Sequence, residues 1–152
     1  MSAQQQSLGE WVERVNHDIF YQQKEEVFNK AVNEDIDSGL VVRYSTKGRQ
    51  ILCQSLTLAA IRLNHSVYNY EQFKGGLVHI RNTGYMVLHS VSEVAKWDDS
   101  EKRGGVVAHM TEFTTKDNTT GKETRKTSLV VSAVKWIDGR RKITELTEVE
   151  NE

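Results

Sequence analysis

The chain of 152 residues has no proline, a single cysteine and no apolar run long enough to cross a membrane. Without proline, no part of it need be a stiff extended linker. Cys53 cannot form an internal disulfide, and on a predicted strand it is best explained as a small buried hydrophobic residue. Because residues 1–7 are polar, no secretory signal is predicted. We therefore expect a cytoplasmic protein with no membrane-inserted segment.

The chain also lacks a surplus of charge of either sign. Its 20 basic and 21 acidic residues give a net charge of −1, so charge alone cannot hold nucleic acid or an anionic membrane. The motifs of several enzyme classes are missing too. No spacing of Cys and His suggests zinc, and no GxGxxG, Walker or GxSxG sequence occurs. We therefore expect chemistry that needs no metal and no cofactor.

The last third of the chain predicts a sheet. Alternating β-branched residues indicate antiparallel strands over 105–115, 124–136 and 141–149, and a fourth strand over 85–97 precedes them. Ionisable residues interrupt this alternation. Such a pattern is typical of a sheet with one face on the core and the other lining a wetter space, so we expect the sheet to enclose a pocket.

The first half of the chain predicts helices. Ser7 and Glu10 have the spacing of a capping box, and apolar residues then recur with helical periodicity to Ala31, which predicts a long helix that is either continuous or broken near Gln22. Asn69 is the predicted N-cap of a helix over 70–81. Residues 39–44 fit a helix or a strand, and 50–67 fit extended chain or, in part, a helix. Helices followed by meandering strands predict one α+β domain over 1–152.

The order of these elements resembles the cone-shaped fold of nuclear transport factor 2, ketosteroid isomerase, scytalone dehydratase and the SnoaL-type polyketide cyclases. A narrower likeness is to small fungal isomerases of meroterpenoid biosynthesis. The matching segments are Ala31-Val32-Asn33-Glu34 with Asp37 and Arg43, Asn69 to Phe73, Val106-Val107-Ala108-His109-Met110, and Ile143-Thr144-Glu145-Leu146-Thr147-Glu148-Val149.

The resemblance implies helices packed on a strongly curved, mostly antiparallel sheet, with residues 1–19 as an additional helical arm. It also implies an apolar cavity in which acid/base groups act on a hydrophobic substrate, such as a polycyclic terpenoid or polyketide intermediate, and a homodimer formed through the outer face of the sheet. Two other functions stay open. One is a non-catalytic dimerisation or protein-binding module, and the other is a cofactor-independent dehydratase or cyclase.

His109 is the first candidate for the acid or base. Imidazole titrates closest to neutral pH, and the neighbours of His109 in the sequence are apolar. The alternative is a histidine on the outer face or in a dimer contact. Glu148, in the last matching segment, is the second candidate and could orient a histidine. Because strand side chains alternate, at most one of Glu145 and Glu148 should face the pocket.

Four further residues are candidates for binding the substrate. His89 and Glu93 are expected to share a face of their strand, where they could complete the cluster or form a cross-strand surface pair. His17 and Tyr21 are one helical turn apart, where ketosteroid isomerase and scytalone dehydratase place polar residues; alternatively they form a polar helix face. The scytalone dehydratase pattern has aspartate after its tyrosine, whereas this chain has Gln22, so that enzyme is not predicted.

Overall fold

The computed structural model describes residues 6–46 and 65–151. In chain order, its elements are helix α1 (Leu8–Phe20), helix α2 (Glu25–Glu34), strand β1 (Ile36–Thr46), strand β2 (His65–Asn69), helix α3 (Tyr70–Thr83), and strands β3 (Gly84–Asp98), β4 (Gly105–Asp117), β5 (Glu123–Ile137) and β6 (Arg140–Asn151). The predicted α+β fold is confirmed, and so are the four long strands.

The described strands form one six-stranded sheet in the order β2-β1-β6-β5-β4-β3. Strands β3 to β6 are a meander of antiparallel neighbours, as their short connections require. Strand β1 pairs with β6 in parallel and with β2 antiparallel. The first and the last of the described strands therefore meet in the sheet, and β1 brings its side chains next to those of β6.

The helices cover one face of this sheet, which we call the inner face. Helix α1 begins at Ser7, whose side chain and that of Glu10 form the predicted capping box. Its buried apolar stripe includes Val12, Val15 and Ile19, spaced for one helix face, and it packs with Val107 of β4 in the core. Helix α3 begins at Asn69 with a second capping box.

The structure gives more detail for the first half of the chain. Helix α1, within the expected additional arm of residues 1–19, lies in the core because its apolar stripe is buried against the sheet. Residues 39–44 belong to β1, in line with their β-branched Val41 and Val42. Most of the ambiguous stretch at 50–67, with Cys53, lies outside the described residues.

Two bulges interrupt β3, and a third irregularity lies between β5 and β6. The first bulge inserts His89 between the paired residues Leu88 and Ser90. A bulge bends the strand and reverses which residues of it face inward. None of the helices in the described parts of the chain is long and apolar enough to span a membrane.

Candidate functional site

A cavity of about 420 Å³ lies between α1 and the inner face of β3 and β4. Its size is within the range of about 300–1,000 Å³ that is usual for small-molecule pockets. The residues that line it are Gln6, Glu10, Glu13, Arg14, Asn16, His17, Tyr21, Leu88, Val91, His109 and Thr111. Apolar side chains of β3 and polar side chains of β4 therefore form the sheet wall of the cavity, and polar groups of α1 form the wall opposite.

The sheet register arranges the inner-face side chains of this region in two rows that cross the strands. The first row contains, from β3 to β1, the residues Glu93, His109, Val130, Glu148 and Tyr44. The second contains Val91, Thr111, Ser128 and Glu150. Since neighbouring strands are about 4.8 Å apart, His109 and Glu148 are separated by roughly 10 Å, with Val130 between them. Glu148 therefore does not pair with this histidine.

His109 is buried in the wall of the cavity, with only 1% of its surface exposed. Neither Nδ1 nor Nε2 has a hydrogen-bond partner in the described parts of the chain. Burial lowers the pKa of His109, and the carboxylates of Glu13 and Glu93 oppose this change. The ring is therefore neutral at pH 7, with one nitrogen able to accept a hydrogen bond or a proton.

Asn16 is a second buried polar residue of the cavity. Its amide Nδ2 donates to Ser132 Oγ over 3.4 Å, whereas Oδ1 has no partner among the described residues. Leaving a buried acceptor unpaired costs about 1–3 kcal/mol, so most such groups in folded proteins have a partner or a role. Two residues of the same cavity wall with unpaired buried atoms indicate a place where another molecule binds.

Glu148 belongs to a second polar cluster, beside the cavity. Its burial, together with the nearby carboxylate of Glu150, raises its pKa to about 7, whereas Ser128 and Lys126 act in the opposite direction. Glu150 is ion-paired with Lys126 over 2.6 Å. Near pH 7 the Glu148 carboxyl group therefore carries a proton in a substantial fraction of molecules. The negative charges of Glu148 and Glu150 would repel each other in this partly buried site, and this repulsion favours the protonated form of Glu148.

The hydroxyl groups of Thr111 and Ser128 connect this cluster to the cavity. Thr111 Oγ1 and Ser128 Oγ are 2.9 Å apart, and Thr111 lines the cavity. Tyr21, also on the cavity wall, has its pKa raised to about 12 by burial and by the two carboxylates, while a hydrogen bond with Thr111 opposes the rise. The phenol is therefore a hydrogen-bond donor throughout the neutral range.

The six residues predicted from the sequence occupy different places. His109 and Tyr21 lie in the cavity wall, and His17 is exposed at the rim of the cavity. The ring centroids of His17 and Tyr21 are 6.3 Å apart. Glu148 faces inward beside the cavity, whereas Glu145 is exposed on the other face and ion-paired with Arg43. The expected alternation between the two glutamates therefore holds.

The expectation that His89 and Glu93 share a face is wrong. The bulge at His89 shifts the alternation of β3, so that Glu93 stands opposite His109 on the inner face. His89 is exposed on the opposite, outer face, where its Nε2 is 2.7 Å from Thr114 Oγ1. The carboxylate of Glu93 lies against Gly9 of α1, so close that a Cβ atom at Gly9 would clash with it.

Comparison with solved structures identifies the fold. A ketosteroid isomerase-like protein from Erwinia carotovora atroseptica SCRI1043 aligns with a TM-score of 0.59 at 13% identity, over 91% of this chain and 92% of its own. An NTF2-like protein of unknown function from Prochlorococcus sp. NATL2A aligns with a TM-score of 0.57 at 10% identity, over 100% and 95%. This chain has the NTF2-like fold.

A protein from Xanthomonas campestris pv. campestris with the provisional name of polyketide cyclase shares the NTF2-like fold, with a TM-score of 0.55 and 12% identity over 94% of this chain and 92% of its own. No protein-family model and no curated protein matches the sequence. At such low identities the likeness extends to the fold alone, so function must be argued from the residues of the site.

Several residues of the site were not found from the sequence. Thr111 has the same strand parity as His109, and Asn16 follows Val12 by four residues, so periodicity could have placed both beside the cavity. Glu150 has the parity of Glu148 on β6 and could have been found in the same way. Tyr44 is different, because it joins the cluster only through the parallel pairing of β1 with β6 in this NTF2-like fold. No local sequence signal predicts that pairing.

Proposed function

We propose that this chain is a small-molecule isomerase that uses acid/base catalysis on a hydrophobic polycyclic molecule. The observation that carries the proposal is the buried, neutral imidazole of His109, whose ring nitrogens have no partner in residues 6–46 and 65–151 and which forms part of a cavity wall. A histidine with only a structural role would normally bond to a neighbour. A general base needs such an unpaired nitrogen at the cavity, because the nitrogen must be able to reach the proton of a bound substrate.

In the proposed reaction, the unprotonated ring nitrogen of His109 accepts a proton from a carbon next to a carbonyl group of the substrate. The electron pair of that C–H bond moves into an enolate, and the imidazolium then returns the proton to another carbon. No electron or group is gained or lost, so the isomerisation needs no co-reactant. General base catalysis of this kind contributes about 10²–10⁴-fold to a rate.

The enolate oxygen needs hydrogen-bond donors while it carries negative charge. Tyr21 supplies a phenol on the cavity wall, and Thr111 supplies a hydroxyl group next to it. Glu148 in its protonated form is connected to Thr111 through Ser128, and so it supports a chain of donors that ends at the cavity. Leu88 and Val91 provide an apolar wall for the body of the substrate.

The short matching segments with fungal meroterpenoid isomerases favour a terpenoid or polyketide-derived intermediate of secondary metabolism as the substrate. The names of the aligned ketosteroid isomerase-like and polyketide cyclase proteins favour the same broad class. A dehydratase or cyclase would use the same cavity but would need an acid that protonates a leaving hydroxyl group. The unpaired neutral base at the cavity favours isomerisation over these reactions and over a non-catalytic module.

The test uses a panel of polycyclic ketones, incubated with the protein in D₂O, with exchange of the protons next to the carbonyl followed by NMR. We expect exchange with at least one ketone, and a loss of 100-fold or more in His109→Ala. His89→Ala is the matched control, because His89 is on the outer face. Full exchange in a folded His109→Ala variant removes His109 from the mechanism. Binding without exchange for the whole panel would favour a binding module.

A further inference from the structure

The groups of the cavity that have no partner are mainly hydrogen-bond acceptors. Asn16 Oδ1 is an acceptor, and neutral His109 has one acceptor nitrogen. Both residues are more than nine-tenths buried, at 7% and 1% exposure, and both line the cavity. A ligand that complements this wall must therefore supply N–H or O–H donors.

Two carboxylates add negative charge beside these acceptors. Glu13 of α1 lines the cavity, and Glu93 of β3 pairs with His109 in the sheet register. Both act electrostatically on His109. Within the described residues, neither carboxylate forms a hydrogen bond or an ion pair. These two charges are available to a ligand, unlike that of Glu10, which is bonded to Ser7 in the capping box.

The nearby basic side chains do not cancel this charge. Arg14 lines the cavity, but its guanidinium is bonded to Asp18 at 3.1 Å and to Asp35 at 3.2 Å. Lys96 lies alongside Gly9 and acts on Glu10, and it makes no ion pair with Glu93 in the described structure. The region around His109 therefore combines unpaired acceptors with an excess of negative charge.

We propose that the cavity binds an amphiphilic amine, with its protonated nitrogen held by the carboxylates of Glu13 and Glu93 beside His109 and its apolar body against Leu88 and Val91. An ammonium group carries three donors on one atom, which matches a cluster of acceptors better than the single donor of an alcohol. Its charge also makes the hydrogen bonds to carboxylates stronger than those of a neutral donor. The inference rests on the proposed function, since it names the class of molecule that this site receives.

The experiment compares three probes of matched shape: 2-naphthylmethylamine, 2-naphthylmethanol and 2-methylnaphthalene. Dissociation constants are measured by calorimetry at pH 7.5 and low salt, and NMR shifts of His109 and Thr111 report whether the probe is in the cavity. We expect the amine to bind at least tenfold more tightly than the alcohol. Glu13→Gln and Glu93→Gln should each weaken amine binding about three- to tenfold and leave alcohol binding unchanged.

Two further variants separate charge from general damage. Glu71→Gln removes an exposed carboxylate of α3 that does not line the cavity, so amine binding should be unchanged. Gly9→Ala keeps every charge, but its Cβ would occupy the place of the Glu93 carboxylate, 2.0 Å from Oε2. Because that carboxylate is the end of a flexible side chain, it should move away, and amine binding should weaken as in Glu93→Gln.

Equal or tighter binding of the alcohol, or amine binding that neither glutamate variant changes, would overturn the amine inference. If the alcohol or the hydrocarbon still changes the NMR signals of His109, the cavity binds apolar molecules, and the proposed function stands although the amine inference fails. If none of the three probes shifts His109 or Thr111 at millimolar concentration, both the amine inference and the small-molecule site are overturned.

Discussion

At the scale of single residues, the buried position of His109 lowers the free energy of unfolding of the protein. Its two ring nitrogens are buried without a partner in the described structure, and the cavity beside it leaves room for an apolar side chain. We predict that His109→Leu raises the free energy of unfolding at pH 7 by about 1 kcal/mol, because the unpaired polar atoms are removed. Urea denaturation measures this change. His89→Leu is the control, and we expect a change within about 0.5 kcal/mol there. A loss of stability in His109→Leu would indicate a structural histidine.

The same residue predicts a dependence of stability on pH. Burial lowers the pKa of His109 below 6.5, so below that pH the unfolded chain binds a proton more readily than the folded one. The wild-type protein therefore has its full stability, as far as His109 affects it, above pH 6.5. It loses stability as the pH falls below 6.5. The difference in unfolding free energy between His109→Leu and the wild type should therefore increase from pH 7.5 to pH 5.5. A difference that is constant over this range would contradict the lowered pKa.

The raised pKa of Glu148 predicts the opposite dependence of stability on pH. Its folded pKa is raised from 4.5 to about 7, so the folded protein holds a proton that the unfolded chain releases. Stability should decrease as the pH rises from 4.5 to 7, by on the order of 2 kcal/mol. Glu148→Gln mimics the protonated form and should remove this decrease, which denaturation at pH 5 and pH 7.5 measures. Glu145→Gln is the control on the same strand, and it should keep the decrease because Glu148 is intact. The same decrease in Glu148→Gln would refute the raised pKa.

At the scale of elements, buried Arg141 of β6 ties the start of α1 to the loop between β3 and β4. Its guanidinium donates to the carbonyl oxygens of Gln6 at 2.7 Å, Arg103 at 2.9 Å and Lys102 at 3.2 Å. We predict that Arg141→Met, which keeps much of the side-chain volume, lowers the free energy of unfolding by about 2–3 kcal/mol, since hydrogen bonds from a charged donor are lost. Thermal or urea denaturation tests this.

Arg140→Met is the matched control for this prediction. Arg140 is exposed and lies 3.4 Å from Glu34, and surface ion pairs contribute about 0–1 kcal/mol. A comparable loss in both variants would mean that a positive charge at this end of β6, and not the link to α1, is what stabilises the protein.

Local periodicity predicted the elements better than their pairing. The capping box of Ser7 with Glu10 marked the start of α1, and the N-cap Asn69 marked the start of α3. The alternation of β4 singled out His109 and, followed one step further, would also have placed Thr111 on its face. The bulge that turns His89 outward has no signal in the sequence, because it depends on the pairing of β3 with β4. The parallel contact of β1 with β6, which brings Tyr44 to Glu148, depends on the whole fold.

At the scale of the whole molecule, the outer face of the sheet carries exposed apolar side chains. Met110 is paired with Leu129, and Leu129 with Val149, so these three form a row across β4, β5 and β6. Met110 is 43% exposed, and Trp97, opposite Val106, is 77% exposed. Large exposed apolar patches in a protein of this size mark surfaces that bind another molecule. This face supports the proposed homodimer.

We predict that the protein sediments as a dimer at micromolar concentration and that Met110→Glu shifts it to a monomer. A charge at the centre of the apolar row would have to be buried in the interface without a partner, which costs several kcal/mol. Thr119→Glu, in the exposed turn between β4 and β5, is the control and should leave the dimer intact. Because Met110 faces away from the cavity, the probes should still bind to the Met110→Glu monomer. A wild-type monomer at micromolar concentration, or a dimer that Met110→Glu does not weaken, would refute this interface.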